Sequence, residues 1–177
     1  TQRHVRVVGS DVILSVNGAV DLRGDFEFEQ SGGVVRVGAA DVRLTLGPTE
    51  APHVSVTGGS GALVMTAQGL AGSFAANASF NVPGVSLTAG QLRVSVNTGS
   101  LAVTESVSVA GQSVAIAVPA GPYVRVEALG ATLSIGGEAV ALSGDFAFEQ
   151  ATAAGGGTNL KVGASNVSVS FGGQGMT

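Results

Sequence analysis

The chain has 177 residues, 28 of them Gly, no Cys and no Trp, a formal net charge of −4, and 45% hydrophobic against 11% charged residues. That balance excludes disulfides and thiolate metal sites, a disordered chain and, with no basic cluster, a nucleic-acid surface. No apolar run reaches the ~18 residues of a membrane-spanning helix, and plentiful β-branched residues argue for strands.

In chain order, Thr1-Gln2-Arg3-His4 runs straight into a strand pattern with no signal peptide, so secretion is expected to rely on a signal elsewhere in a longer product. Val5 and Val7 face one way and Arg6 the other; Val12, Leu14 and Val16 alternate with Ile13, Ser15 and Asn17. Phe26 and Phe28 alternate with Asp25, Glu27 and Glu29, and Val42, Leu44 and Leu46 alternate with Arg43 and Thr45. Such period-2 alternation predicts antiparallel sheet with one dry and one wet face. Asn17-Gly18, Ser31-Gly32-Gly33, Gly38-Ala39-Ala40-Asp41 and Gly136-Gly137 read as turns. Strands are then expected about every ten residues, and the phenylalanines at 26, 28, 74, 80, 146 and 148 as the largest core contributors.

The chain repeats itself. HVRV at His4–Val7 returns as YVRV at Tyr123–Val126, and GDFEFEQ at Gly24–Gln30 returns as GDFAFEQ at Gly144–Gln150. The offset is about 119 residues and grows to about 125 across the longer loop Ala151–Thr158. A fainter copy lies between: HVSV at His53–Val56, Leu70–Phe74 matching Leu22–Phe26, and Val85–Val96 matching Val35–Leu46. Three units follow, at 1–50, 51–121 (with an insert, Gly99–Gly121) and 122–177. The phase of the ends suggests a window onto a longer array. The fold expected is all-β, antiparallel meander modules of sandwich or barrel type in tandem, with a β-solenoid as the alternative.

The GDFxFEQ strand, the VGAxxVxLxLG stretch, NVPGVSL at Asn81–Leu87 and PAGPYVRVE at Pro119–Glu127 resemble repeats of giant bacterial cell-surface, adhesin-like proteins. The resemblance spans nearly the whole chain and its motifs are structural. It implies a spacer or filament, not a chemistry.

Candidate sites are few. His4 and His53 invite a metal or acid–base reading, but Tyr123 stands at the same place in the third unit, which suits a ring capping a strand entrance. The acidic row Asp25, Glu27, Glu29 suits a cation or paired catalytic carboxylates. It becomes Ser73, Ala75, Asn77 and then Asp145, Ala147, Glu149, which favours cross-strand ion pairs with Arg6, Arg36 and Arg43. Asp11 and Asp41 lack the dense oxygen spacing of calcium loops, and Gly155–Gly157 and Gly172-Gly173 lack the aspartates. Asn77-Ala-Ser79 and Asn166-Val-Ser168 match glycosylation sequons, and Arg23-Gly24-Asp25 matches an adhesive triplet at a strand start. No phosphate loop or nucleophile elbow is present.

These readings together predict no catalytic residue, no cofactor and no metal. The function expected is a structural repeat segment of a large extracellular or cell-surface protein, forming a stiff stalk or filament; the alternative is a ligand- or carbohydrate-binding module of an adhesin. The partners expected are neighbouring repeats of the same chain or identical chains, with no nucleic acid and no membrane span, and any host ligand unspecified.

Overall fold

The computed structural model describes residues 4–16, 20–48, 50–137, 139–152 and 157–172. It is all-β. The strands are β1 (His4–Val16), β2 (Val20–Ser31), β3 (Val34–Leu46), β4 (Val54–Thr66), β5 (Gly69–Val82), β6 (Val85–Asn97), β7 (Val103–Val109), β8 (Gln112–Val118), β9 (Tyr123–Ile135), β10 (Val140–Thr152) and β11 (Thr158–Phe171). Nine form one antiparallel sheet in the order β1-β2-β3-β4-β5-β6-β9-β10-β11, and β7 and β8 form a separate hairpin. The expected unit boundaries fall between β3 and β4 and just before β9, and strand ladders cross both, pairing Leu46 with Val54 and Val85 with Ile135.

The expected barrel is not formed. Strands β1 and β11 lie at opposite edges of an open sheet. Nor do two full sheets face each other, since the second layer is the hairpin alone. The reason lies in a misread signal. Gly38-Ala39-Ala40-Asp41 is not a turn but the middle of β3, where Asp41 bulges at φ 52°. Asp11 (φ 50°) does the same in β1 and Asn166 (φ 55°) in β11. Asp and Asn tolerate positive φ, and one extra residue leaves the strand running on in the same sheet. Short segments thereby fuse into strands of 12 to 14 residues, and the chain leaves this sheet only for the β7–β8 hairpin. Gly32 and Gly33 do turn, as do Gly136 and Gly137, all at positive φ. Asn17-Gly18 and most of Gly155–Gly157 lie outside the described residues.

The alternation read from the sequence persists across the whole sheet, because directly paired residues share a face. One row runs Val7, Phe28, Val37, Leu63, Gly72, Val96, Val124, Gln150, Leu160. The next runs Gly9, Phe26, Ala39, Gly61, Phe74, Val94, Val126, Phe148, Val162. Beyond the bulges, Leu46, Val54, Phe80, Leu87, Leu133, Leu142 and Val169 continue this apolar face. The bulge residue drops out of the count, so parity is kept.

The main buried cluster sits on the other, polar face. There Val107, Val109, Ile116 and Val118 of the hairpin press onto Ala40, Ala62, Val64 and Ala71. Small residues hollow out the sheet at the hairpin's footprint; a Cβ on Gly38 would collide with the side chain of Val109. Each large hairpin residue contributes roughly 1.5–3 kcal/mol by leaving water. The expected phenylalanine core is therefore absent: Phe28, Phe80 and Phe148 remain 37%, 38% and 42% exposed on the apolar face. Gly38→Val overpacks this seam, and we expect it to destabilise the chain by about 1–3 kcal/mol in urea unfolding. An unchanged midpoint would mean that the hairpin does not rest on Gly38.

Candidate functional site

Polar chemistry gathers on the hairpin-bearing face. On strands β9, β10, β11 and β6, Arg125 lies 2.7 Å from Glu127 and 2.7 Å from Glu149. Lys161 reaches Glu149 at 3.1 Å, Arg93 reaches Glu127 at 3.9 Å, and the Tyr123 hydroxyl donates to Glu149 at 3.4 Å. The Arg125 hydrogen bonds hold the Glu127 and Glu149 carboxyls below their ordinary range, with Lys161 adding to the effect at Glu149. Burial, followed by the Glu149 charge, pushes the Tyr123 phenol up.

Between this cluster and strand β8 lies a cleft of about 490 Å³. Ser73, Ser95, Gln112, Ser113, Tyr123 and Arg125 are among its walls. Its charged groups pair with one another, so what it offers a ligand is chiefly hydroxyl and amide hydrogen bonds.

The acidic row of the first unit is built likewise. Arg6 Nε is 2.7 Å from Glu27, which is only 5% exposed, and His4 Nδ1 stands 4.0 Å from Glu29. Tyr123 bears the same relation to Glu149 that His4 bears to Glu29. His53 instead approaches the Asn81 carbonyl, at 3.3 Å. Arg36 leaves the row for Glu105 of the hairpin, at 3.1 Å. Arg43 lies beyond the bulge, opposite Arg23.

Sequence alignment makes Glu27 vanish in the third unit, where Ala147 replaces it. Space tells otherwise. Glu27 pairs across the ladder with Val8, and Ala147 pairs with Glu127, which occupies the position of Val8. The carboxylate stands on the facing strand and meets the equivalent arginine, Arg125 in place of Arg6.

Asp25 serves the bulge. Its Oδ1 accepts the Asp11 N–H at 2.8 Å, and Asp145 Oδ1 accepts the Gly130 N–H at 2.8 Å. Asp145 also accepts from Asn166 Nδ2 at 2.6 Å. These bonds hold its carboxyl below the ordinary range, the Gly130 N–H first. A bulge frees an N–H from the ladder, and the carboxylate takes it. The preceding Gly24 leaves little room for a side chain, since a Cβ there would lie 3.2 Å from both the Ala40 carbonyl and Val42. Gly-Asp-Phe is thus a bulge clamp, and the Arg23-Gly24-Asp25 triplet lies inside β2. Both sequon asparagines sit within strands, Asn77 in β5 and Asn166 in β11. Among the described residues no three His, Asp or Glu side chains converge as metal ligands, Asp11 and Asp41 included.

One structurally important residue escaped the sequence reading. Asn97, 1% exposed, donates to the carbonyls of Leu101 (2.8 Å) and Pro119 (2.6 Å) and accepts the Gly99 N–H at 2.8 Å. It staples both legs of the insert to the end of β6. Only its place at the insert boundary hinted at this.

Against known proteins, the chain matches no family model, no curated protein and no solved structure. No helix among the described residues is long and apolar enough to cross a membrane.

Two predictions follow from these contacts. Asn97→Ala leaves buried backbone groups without partners, and we expect a loss of about 2 kcal/mol in chemical unfolding, with the hairpin amides losing most hydrogen-exchange protection. Equal loss across all strands would show that Asn97 does not act at the insert. For pH, Glu127, Glu149 and Asp145 have depressed folded-state values, so the unfolded chain binds protons more readily on acidification. Their stabilisation is complete above the unfolded carboxylate range, near ~4 to 4.5, and is lost as pH falls through the depressed folded values. The urea midpoint should fall from pH 6 to pH 3, and less steeply in Asp145→Asn; identical slopes would remove Asp145 from the account.

Proposed function

We propose that this chain is a structural repeat segment of a large extracellular or cell-surface protein and forms a stiff, β-rich stalk or filament. One observation carries the reading: successive units join by the same antiparallel ladder that holds each unit together. Strand β3 passes to β4, and β6 to β9, as β2 passes to β3. Growth by such ladders has no built-in end, and the outer edges of β1 and β11 offer the same backbone groups to a neighbouring repeat or an identical chain.

The polar side chains support a non-enzymatic role, being spent on ion pairs, bulge clamps and the staple at Asn97. The low charged fraction and lack of Cys fit a surface location, as does the resemblance of the repeats to giant adhesin-like proteins. The ligand-binding alternative has one observation of its own, the hydroxyl- and amide-lined cleft beside Tyr123. Its aromatic content is low for a sugar platform, with one Tyr and no Trp in the chain.

Six sheet strands separate equivalent positions in the first and third units. At ~4.8 Å per strand the long repeat advances by about 29 Å, with one β7–β8 hairpin projecting at each step. Cryo-electron microscopy and fibre diffraction of the native assembly should show a ~4.8 Å reflection along the axis and density recurring at that longer interval. A compact 17.3 kDa particle that forms no polymer would overturn the proposal.

A further inference from the structure

Among the described residues, the apolar face of the nine-stranded sheet carries no charged side chain and is covered by no other element. Strands of 13 residues span ~44 Å, and eight inter-strand steps span ~38 Å. The face is therefore ~1,700 Å², against ~800 Å² per partner in a standard interface and ~300–600 Å² for the largest apolar patch of a typical monomer. The chain exposes 10616 Å² in all, where a compact monomer of its mass exposes about 7,800 Å².

We propose that two copies of this chain pack apolar face to apolar face into a two-sheet sandwich. The area exceeds what a stable dimer needs. The face also has relief: Phe28 and Phe148 are exposed on it, while Gly61, Gly72 and Ala39 leave a hollow of about 230 Å³ walled by Val37, Leu63 and Phe74. A cavity of about 150 Å³ already admits a benzene ring. Self-pairing also keeps the net negative charge apart, because every Asp, Glu, Lys and Arg within the described sheet strands lies on the opposite face or at a bulge. A lipid surface fits less well. Lipid-facing sheets carry girdles of Trp and Tyr, and this chain has no Trp and one Tyr, on the polar face.

The inference stands apart from end-to-end growth, since it uses the face and not the strand edges. The test is sedimentation equilibrium of the 177-residue chain, alone and with phosphatidylcholine vesicles. A species of twice 17.3 kDa is expected. Val94→Lys with Val126→Lys, a cross-strand pair on the apolar face, should give a folded monomer by circular dichroism. Thr88→Lys, on the polar face, should leave the dimer intact. Because the chain lacks Cys, Val94→Cys should be shielded from a maleimide in the dimer and Thr88→Cys should be labelled, even if the lysine variants fail to fold. A monomer at tens of micromolar, a chain that instead floats with the vesicles, or a dimer indifferent to the lysine pair would each overturn the proposal. The last outcome would indicate edge pairing and leave the filament reading standing.

Discussion

Antiparallel pairing reverses the chain at every strand, and each repeat unit contributes three strands to the sheet. An odd number means that β4–β6 runs opposite to β1–β3, while β9–β11 runs the same way. A strand turned end for end with the same side chains facing up presents its N–H and C=O groups to the opposite neighbour. The middle unit must keep its apolar residues on the shared face, so its hydrogen-bonding positions are exchanged relative to the flanking units. It cannot be a structural copy of them. Equivalent surroundings return only after six strands, which accounts for a strong repeat at about 119 residues and a faint one at about 50. The clamps obey this rule: Asp25 and Asp145 hold the Asp11 and Gly130 amides at the same 2.8 Å, and the middle unit has Ser73 in the aligned position.

The bulges carry the second constraint. A bulge row crosses β1, β3, β4, β9 and β11, each with one residue at positive φ. Side-chain parity survives, so the apolar face stays unbroken. On the polar face the demand is looser. An arginine needs carboxylates near it, but either facing strand can provide them, and the exchange of Val8/Glu27 for Glu127/Ala147 shows one position solved twice.

This looseness explains which features were legible in the sequence. The two-residue alternation depends on a single strand at a time, so the dry and wet faces could be read from Val5, Val7, Phe26 and Phe28 alone. The internal repeats were legible for the same reason. Bulges were not, because a positive-φ Asp or Asn after small residues has the same local chemistry whether the chain turns back or continues. The mobile carboxylate was hidden because alignment compares positions along the chain, whereas the ion pair depends on positions across it. The hairpin's resting place depended on Gly38, Ala40, Ala62 and Ala71, which come from three strands and carry no signal singly. Asn97 looked like any strand-end asparagine.

The placement of the core follows from these constraints together. A sheet with one dry face would ordinarily bury that face, yet the insert between β6 and β9 packs on the wet one. The staple at Asn97 fixes both legs of the insert on one side of the sheet end, alongside Ala71 and Val64, and the short connections on either side of the hairpin leave little chain with which to reach around the edge. The wet face there is wet only in part: glycine and alanine under the hairpin offer backbone and methyl surface, and Arg36 meets Glu105 at its rim. Burying this small patch fixes the hairpin without occupying the large apolar face. The internal core thus stabilises the insert, and the greater part of the apolar surface remains available for contacts beyond a single copy.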